Sequence, residues 1–102
     1  MPKKKVRLLQ EARMELRDIA AFHMQKVGPN SARKITNRIL DELERLADFP
    51  EMGYVPPFKL VADGGYRVLV VKDYLCFYRI DRDEIHVAHI VHGSTDYIRR
   101  LF

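Results

Sequence analysis

The chain has a single cysteine, Cys76, so no intrachain disulfide can form. That usage fits a reducing compartment. Cys76 lies in an apolar, strand-like run, where it reads as a buried packing thiol, with a nucleophile as the alternative. Long hydrophobic runs are also missing. The apolar stretch after the basic N-terminus is too short for the core of a signal peptide, and nothing approaches a membrane span. These absences lead us to expect a cytoplasmic protein with no membrane partner. No glycine-rich loop opens a helix. Gly64-Gly65 precedes a strand-like run instead, so it does not match a nucleotide-binding fingerprint. No serine sits in a nucleophile-elbow pattern. Internal repeats, low-complexity segments and linker-like domain boundaries are absent too.

What is present is an ordinary globular composition. The 102 residues are 47% hydrophobic and 31% charged, which fits one domain over residues 1–102 and excludes a mainly disordered chain. The formal net charge is +4. A basic surplus on a small domain favours nucleic acid, an acidic protein or a membrane surface as partner.

Hydrophobic periodicity divides the chain into elements. Lys3 to Leu9 alternates weakly and reads as a short edge strand, whose lysines discourage pairing with another chain. Gln10 to Lys26 switches to helical spacing, with Ala12, Leu16, Ile19, Ala20 and His23 on one face. Gly28-Pro29-Asn30 is a break. Asn30 or Ser31 is placed to cap a second helix running to about Asp48, with Ala32, Ile35, Ile39, Leu43 and Leu46 as its stripe. Pro50 to Leu60 reads as an extended linker and Asp63-Gly64-Gly65 as a turn. Three strand-like runs follow at Tyr66–Lys72, Leu75–Asp81 and Glu84–His92, joined by hairpin turns at Asp73-Tyr74 and Arg82-Asp83. Gly93 ends the last strand, and Ser94 is placed to cap a short helix from Thr95 to Phe102. The expected fold is α+β: an N-terminal strand, a helical hairpin, a three-stranded antiparallel meander and a short C-terminal helix. The helices should cover one face of the sheet and leave the other free.

The second helix carries its charges in an unusual order. Arg33, Lys34 and Arg38 precede Asp41, Glu42, Glu44 and Asp48, the reverse of what the helix macrodipole favours. Either this is a solvated face with pairs such as Arg38 and Glu42, or a basic helix start is kept for a partner.

Candidate chemistry concentrates on the sheet. His86, His89 and His92 invite a metal reading, but strand alternation sends His86 and His92 one way and His89 the other, so no metal site is expected. Arg67 and Arg79 interrupt apolar strands. Arg67 shares a face with Leu69 and Val71, and Arg79 shares one with Leu75 and Phe77. A buried arginine needs a partner, so both either pair or snorkel, face solvent, or serve a site. Beyond them lies His92-Gly93-Ser94-Thr95-Asp96-Tyr97. A histidine beside strand arginines and a tyrosine offers an acid/base group near a phosphate clamp. Such a set suits RNA cleavage by 2′-OH attack on the neighbouring phosphate. Alternatively, His92 simply ends a strand and Tyr97 packs the last helix.

The runs Tyr66-Arg67-Val68-Leu69-Val70, Leu75-Cys76-Phe77-Tyr78-Arg79-Ile80 and Ile85-His86-Val87-Ala88-His89-Ile90-Val91-His92-Gly93, with Asp96-Tyr97 after them, resemble the RelE/ParE superfamily of type II toxin–antitoxin toxins. The helix pair before them, with Ala12, Leu16, Ile19, Ala20, Leu43, Leu46 and Pro50, fits as well. The resemblance implies a RelE-like fold and a cognate antitoxin that wraps the toxin, with DNA reached only through that antitoxin. RelE-like members cut mRNA on the ribosome without a metal or cofactor, whereas ParE-like members poison DNA gyrase. By this resemblance Arg67 matches the arginine that contacts the scissile phosphate, His92 the near-terminal histidine of YoeB-like members, and Tyr97 a C-terminal tyrosine. Ser94 and Thr95 stand where RelE-like members often carry a further arginine, and a lost transition-state charge costs on the order of several kcal/mol of barrier. Lys59, Lys72 and Arg79 are the cations available to contact RNA phosphates in its place. The expectation is therefore an mRNA endonuclease, with a gyrase inhibitor or an inactive binding module of the same fold as alternatives.

Overall fold

The computed structural model describes residues 3–101. Met1, Pro2 and Phe102 lie outside the described residues, and with Phe102 the expected end of the last helix. In chain order the elements are β1 (Lys5–Leu8), α1 (Gln10–Lys26), α2 (Pro29–Glu44), a 3-10 turn (Arg45–Ala47), α3 (Lys59–Asp63), β2 (Arg67–Val71), β3 (Tyr74–Asp81), β4 (Glu84–His92) and α4 (Tyr97–Leu101). The sheet runs β1-β4-β3-β2. β2, β3 and β4 form the expected antiparallel meander. β1 is an edge strand, parallel to β4.

Each helix forms where its stripe finds a floor. α1 buries Ala12 and Ile19, and α2 buries Ala32, Ile39 and Leu43. Together they close over Leu69, Val71, Cys76, Tyr78, Ile85, Val87 and Ile90 of the sheet. Burial of this kind is worth roughly 1.5–3 kcal/mol per large apolar side chain, more than the helices' intrinsic propensity supplies.

Several boundaries depart from expectation. α2 is capped by neither Asn30 nor Ser31: Gly28 is its N-cap, at φ 142°, and Pro29 is its first residue. Proline suits that position because its missing N–H would have had no helical acceptor. The α-helix ends at Glu44 and tightens into the 3-10 turn, which carries buried Leu46 and Ala47 onward. The first hairpin turn is Lys72-Asp73, because Tyr74 already pairs with Val71 and His92. The second is Arg82-Asp83 as expected. Each turn holds a non-glycine residue at positive φ, Lys72 at 56° and Arg82 at 55°, as two-residue hairpins with matching twist require.

The expected linker is helical at its end. Lys59–Asp63 forms α3, which drops Val61 fully into a second core with Val68, Phe77 and Val91. α4 begins at Tyr97, not Thr95, and Ser94 does not cap it, because its Oγ is taken by His92 Nδ1 at 2.7 Å. Tyr97, Ile98 and Leu101 pack on this second core. The sheet face expected to be free is therefore partly covered, by α3 and α4.

The strand alternation also shifts. The β3–β4 register slips between Phe77 and Tyr78, which face His89 and Val87, leaving Ala88 as the extra residue of a β-bulge. Ile85 and Val87 before it and Ile90 after it all reach the first core. His92 therefore falls on the helix-hairpin face, and His86 on the opposite one. The expectation that His86 and His92 share a face is overturned by that one inserted residue.

Candidate functional site

The side chains singled out from sequence occupy three separate places. The first is the start of β2. Arg67 lies on the helix-hairpin face and its Nη1 donates to Gly53 O at 2.8 Å and to Glu51 O at 3.5 Å. Beside it, the Tyr78 hydroxyl donates to Pro50 O at 2.8 Å and accepts the Gly53 N–H at 2.9 Å. Burial pushes the Tyr78 phenol above its ordinary value, opposed by the Gly53 bond and the Arg67 charge. A Cβ on Gly53 would meet Tyr78 Oη and Val68 O at 2.7 Å, so only glycine lets this segment approach so closely. Arg67 and Tyr78 thus staple residues 50–53 to the sheet.

The second place is the opposite face. Tyr97 packs between Phe77, with ring centres 5.0 Å apart, and Phe58, at 6.3 Å. Burial raises the Tyr97 phenol first, and the neighbouring Tyr54 adds to it. Arg79 lies 4.9 Å above the centre of the Tyr66 ring, a cation–π contact. Lys59 is exposed at the start of α3.

The third place is a cleft of about 1030 Å³ between the α1–α2 junction and the β2–β3 turn. His92 and Lys72 both line it, together with Tyr74 and His23. His23 Nε2 is 3.0 Å from Tyr74 Oη, and His23 Nδ1 is 3.1 Å from Ser31 Oγ. The imidazole satisfies both hydroxyls in either tautomer. His92 stands edge-on to Tyr74, at 5.5 Å and 86°. Ser94 N–H donates to His92 Nδ1 at 3.1 Å. That bond makes Nδ1 the acceptor, so the neutral ring carries its proton on Nε2 and presents a donor there. Burial raises the Tyr74 phenol, and Asp73 reinforces the shift, so Tyr74 stays a neutral hydroxyl.

The expected constellation is therefore divided. Arg67 and His92 share a face but lie on β2 and β4, opposite Tyr78 and Tyr74 of the strand between them. Strand spacing and rise put their Cα atoms roughly 16 Å apart. Tyr97 and Arg79 belong to the other face. Of the expected residues, only Lys72 and His92 meet in one cavity. The other histidines are held elsewhere, His86 by Glu84 at 2.8 Å and His89 by Glu15 at 3.3 Å. Cys76 is fully buried, and burial alone pushes its thiol up to about 12. It is a packing residue, not a nucleophile. Sequence reading missed the pairing of His23 with Tyr74 and Ser31. The available signal was a histidine at the end of the apolar stripe of α1, a position that calls for a polar partner.

A family model described as the ParE toxin of the type II toxin–antitoxin system parDE matches residues 6–97. The chain belongs to the ParE toxin family. No curated protein matches it in sequence. Among solved structures, this ParE-family chain is similar to the chromosomal ParDE toxin–antitoxin system from P. aeruginosa, at 20% identity and a TM-score of 0.75, covering 88% of this chain and 96% of that one. It is also similar to the toxin–antitoxin complex RelBE2 from Mycobacterium tuberculosis, at 20% identity and a TM-score of 0.63, covering 88% and 98%. At such identities the likeness speaks for the fold, which ParE and RelE toxins share. Among the described residues, no helix is long and apolar enough to cross a membrane.

Proposed function

We propose that this toxin acts as a ParE-like inhibitor of DNA gyrase, by binding and without a hydrolytic centre of its own, and that a cognate antitoxin neutralises it. The observation that carries the reading is the dispersal of Arg67, His92 and Tyr97. An acid/base group, a phosphate clamp and a tyrosine must converge within hydrogen-bond reach of one reacting phosphate. Here Arg67 is engaged by backbone carbonyls, and Tyr97 is packed on the far side of the sheet. The family match supports the same choice. The antitoxin partner is supported by the two similar structures, both of them from toxin–antitoxin systems.

One observation favours the second reading, an mRNA endonuclease. Lys72 and His92 line the same cleft. A protonated His92 is suited to donate to a leaving oxygen, and Asp41 and Asp73 line the same cleft, but neither Arg67 nor Tyr97 joins them there.

A supercoiling assay with purified gyrase tests the proposal. Inhibited supercoiling or trapped cleavage complexes are expected. Unchanged supercoiling, together with new 5′ ends on translated mRNA by primer extension, would replace this reading with the nuclease.

A further inference from the structure

The charge order of α2 is explained by neither activity. Arg33 and Lys34 lie in the second turn of α2, and no acidic residue stands in its first turn. The fold gives Lys34 a destination. It lines the same cleft as Lys72, which comes from the β2–β3 turn, and as His92, from the end of β4. Neither lysine makes an ion pair among the described residues. Arg38, nearby, is partly engaged by Glu42 at 4.0 Å. The cleft is not a plain cationic patch, because Asp41 and Asp73 also line it. It has an apolar wall as well, where Phe22 is 55% and Val27 75% exposed. Its volume of about 1030 Å³ is at the upper end of small-molecule sites, roughly 300–1,000 Å³.

We propose that this cleft binds a nucleoside phosphate, free or at the end of a nucleic-acid strand. Its phosphate is held by Lys34, Lys72 and His92 Nε2–H, and its base lies against Phe22 and Val27. Three donors from three elements suit a phosphate's oxygens. Phe22 provides an exposed ring for stacking. The His23–Tyr74–Ser31 hydrogen bonds hold the wall between them, since His23 ties α1 to β3 and to the start of α2. Stapled this way, the cleft exists before the ligand arrives, which lowers the cost of binding. The inference does not rest on the gyrase reading.

Titration of the ¹⁵N-labelled full chain followed by NMR tests it, with adenosine monophosphate, adenosine, inorganic phosphate and a 5′-phosphorylated single-stranded RNA hexamer as probes. Saturable shifts are expected at Lys34, Lys72, Tyr74 and His92 with the monophosphate, and weaker binding of adenosine and phosphate alone. The double variant Lys34→Ala/Lys72→Ala, both at exposed positions, should bind the monophosphate about 10- to 100-fold more weakly. Arg99→Ala, on the other face, should bind it unchanged. Tighter binding of the monophosphate than of the hexamer assigns the site to a free nucleotide, and the reverse order assigns it to a strand end. No saturable shift up to about 10 mM, weaker than any useful affinity, overturns the proposal. So do shifts confined to another surface, or a double variant that binds as the wild type does.

Discussion

Arg67 separates a structural staple from a catalytic contact, so its removal is the most informative single change. In Arg67→Ala the 2.8 Å bond to Gly53 O is lost, together with the longer one to Glu51 O. A hydrogen bond from a charged donor contributes about 1.5–3 kcal/mol. Arg67 is only half-buried, and solvent screening cuts that to about 1–2 kcal/mol. Loosening of residues 50–53 then weakens the Tyr78 bonds to Pro50 and Gly53, so the two side chains should be coupled. For a domain near this size, about 1 kcal/mol lowers Tm by about 4–8 °C. Urea unfolding of wild type, Arg67→Ala, Tyr78→Phe and the double variant closes a cycle. Its interaction energy should be about 0.5 kcal/mol or more. Toxicity should fall only as far as the folded fraction does, and recover when growth temperature is lowered. An Arg67→Ala protein with wild-type stability and no toxicity would refute this reasoning and make Arg67 a contact to substrate.

Cys76 is expected to resist alkylation in the native protein at pH 8 and to react fully in urea; rapid native labelling would contradict its burial. Its thiol is raised from 9.0 to about 12, so the stability it lends is complete below pH 9 and is lost as pH climbs toward 12. Urea midpoints at pH 8 and 11 should therefore differ less in Cys76→Ala than in wild type, and equal differences would count against the shift. The Glu84 carboxyl is held below its ordinary range, first by its bond to His86. Its stabilisation is present above pH 4.5 and fades as pH falls through the depressed value, so His86→Gln should flatten the acid limb of the midpoint-versus-pH curve, which an unchanged limb would disprove. Gly53→Ala forces a Cβ to within 2.7 Å of Tyr78 Oη and Val68 O. A loss of about 1–3 kcal/mol is expected from the overpacking, measured by chemical unfolding, and a neutral result would mean that residues 50–53 are not held as described.

The strands and both long helices were legible because their periodicity is carried by residues that reach one core. Ala12 and Ile19, or Ile35, Ile39 and Leu43, say which way a helix faces before any packing is known. What escaped was decided by tertiary contact. α3 is one turn long and has no periodicity to read; it forms because Val61 fits beneath Val68 and Phe77. Ser94 is a good capping residue, yet His92 competes for its hydroxyl. The bulge at Ala88 is hidden in the pattern because β4 is apolar toward both faces, with Ile90 in the first core and Val91 in the second. Once the bulge is placed, His92 moves to the face of Tyr74, and the expected site divides.

That division bears on how one fold serves two activities. For Tyr97 to join His92, α4 would have to leave the second core and carry Tyr97, Ile98 and Leu101 off Val61 and Phe77. These side chains are half-buried, so exposing them costs roughly 1 kcal/mol each. Uncovering one side of Val61 and Phe77, which stay packed with Val68 and Val91, adds about 1 kcal/mol apiece. The sum, about 5 kcal/mol, reaches the lower end of the whole stability of a small domain, about 5–15 kcal/mol. A nuclease that used Tyr97 beside His92 would need its partner to supply that energy. A toxin that works by surface binding needs none of it, because its faces are already formed. On the reading proposed above, the position of α4, more than the identity of any one strand residue, is what favours binding over cleavage.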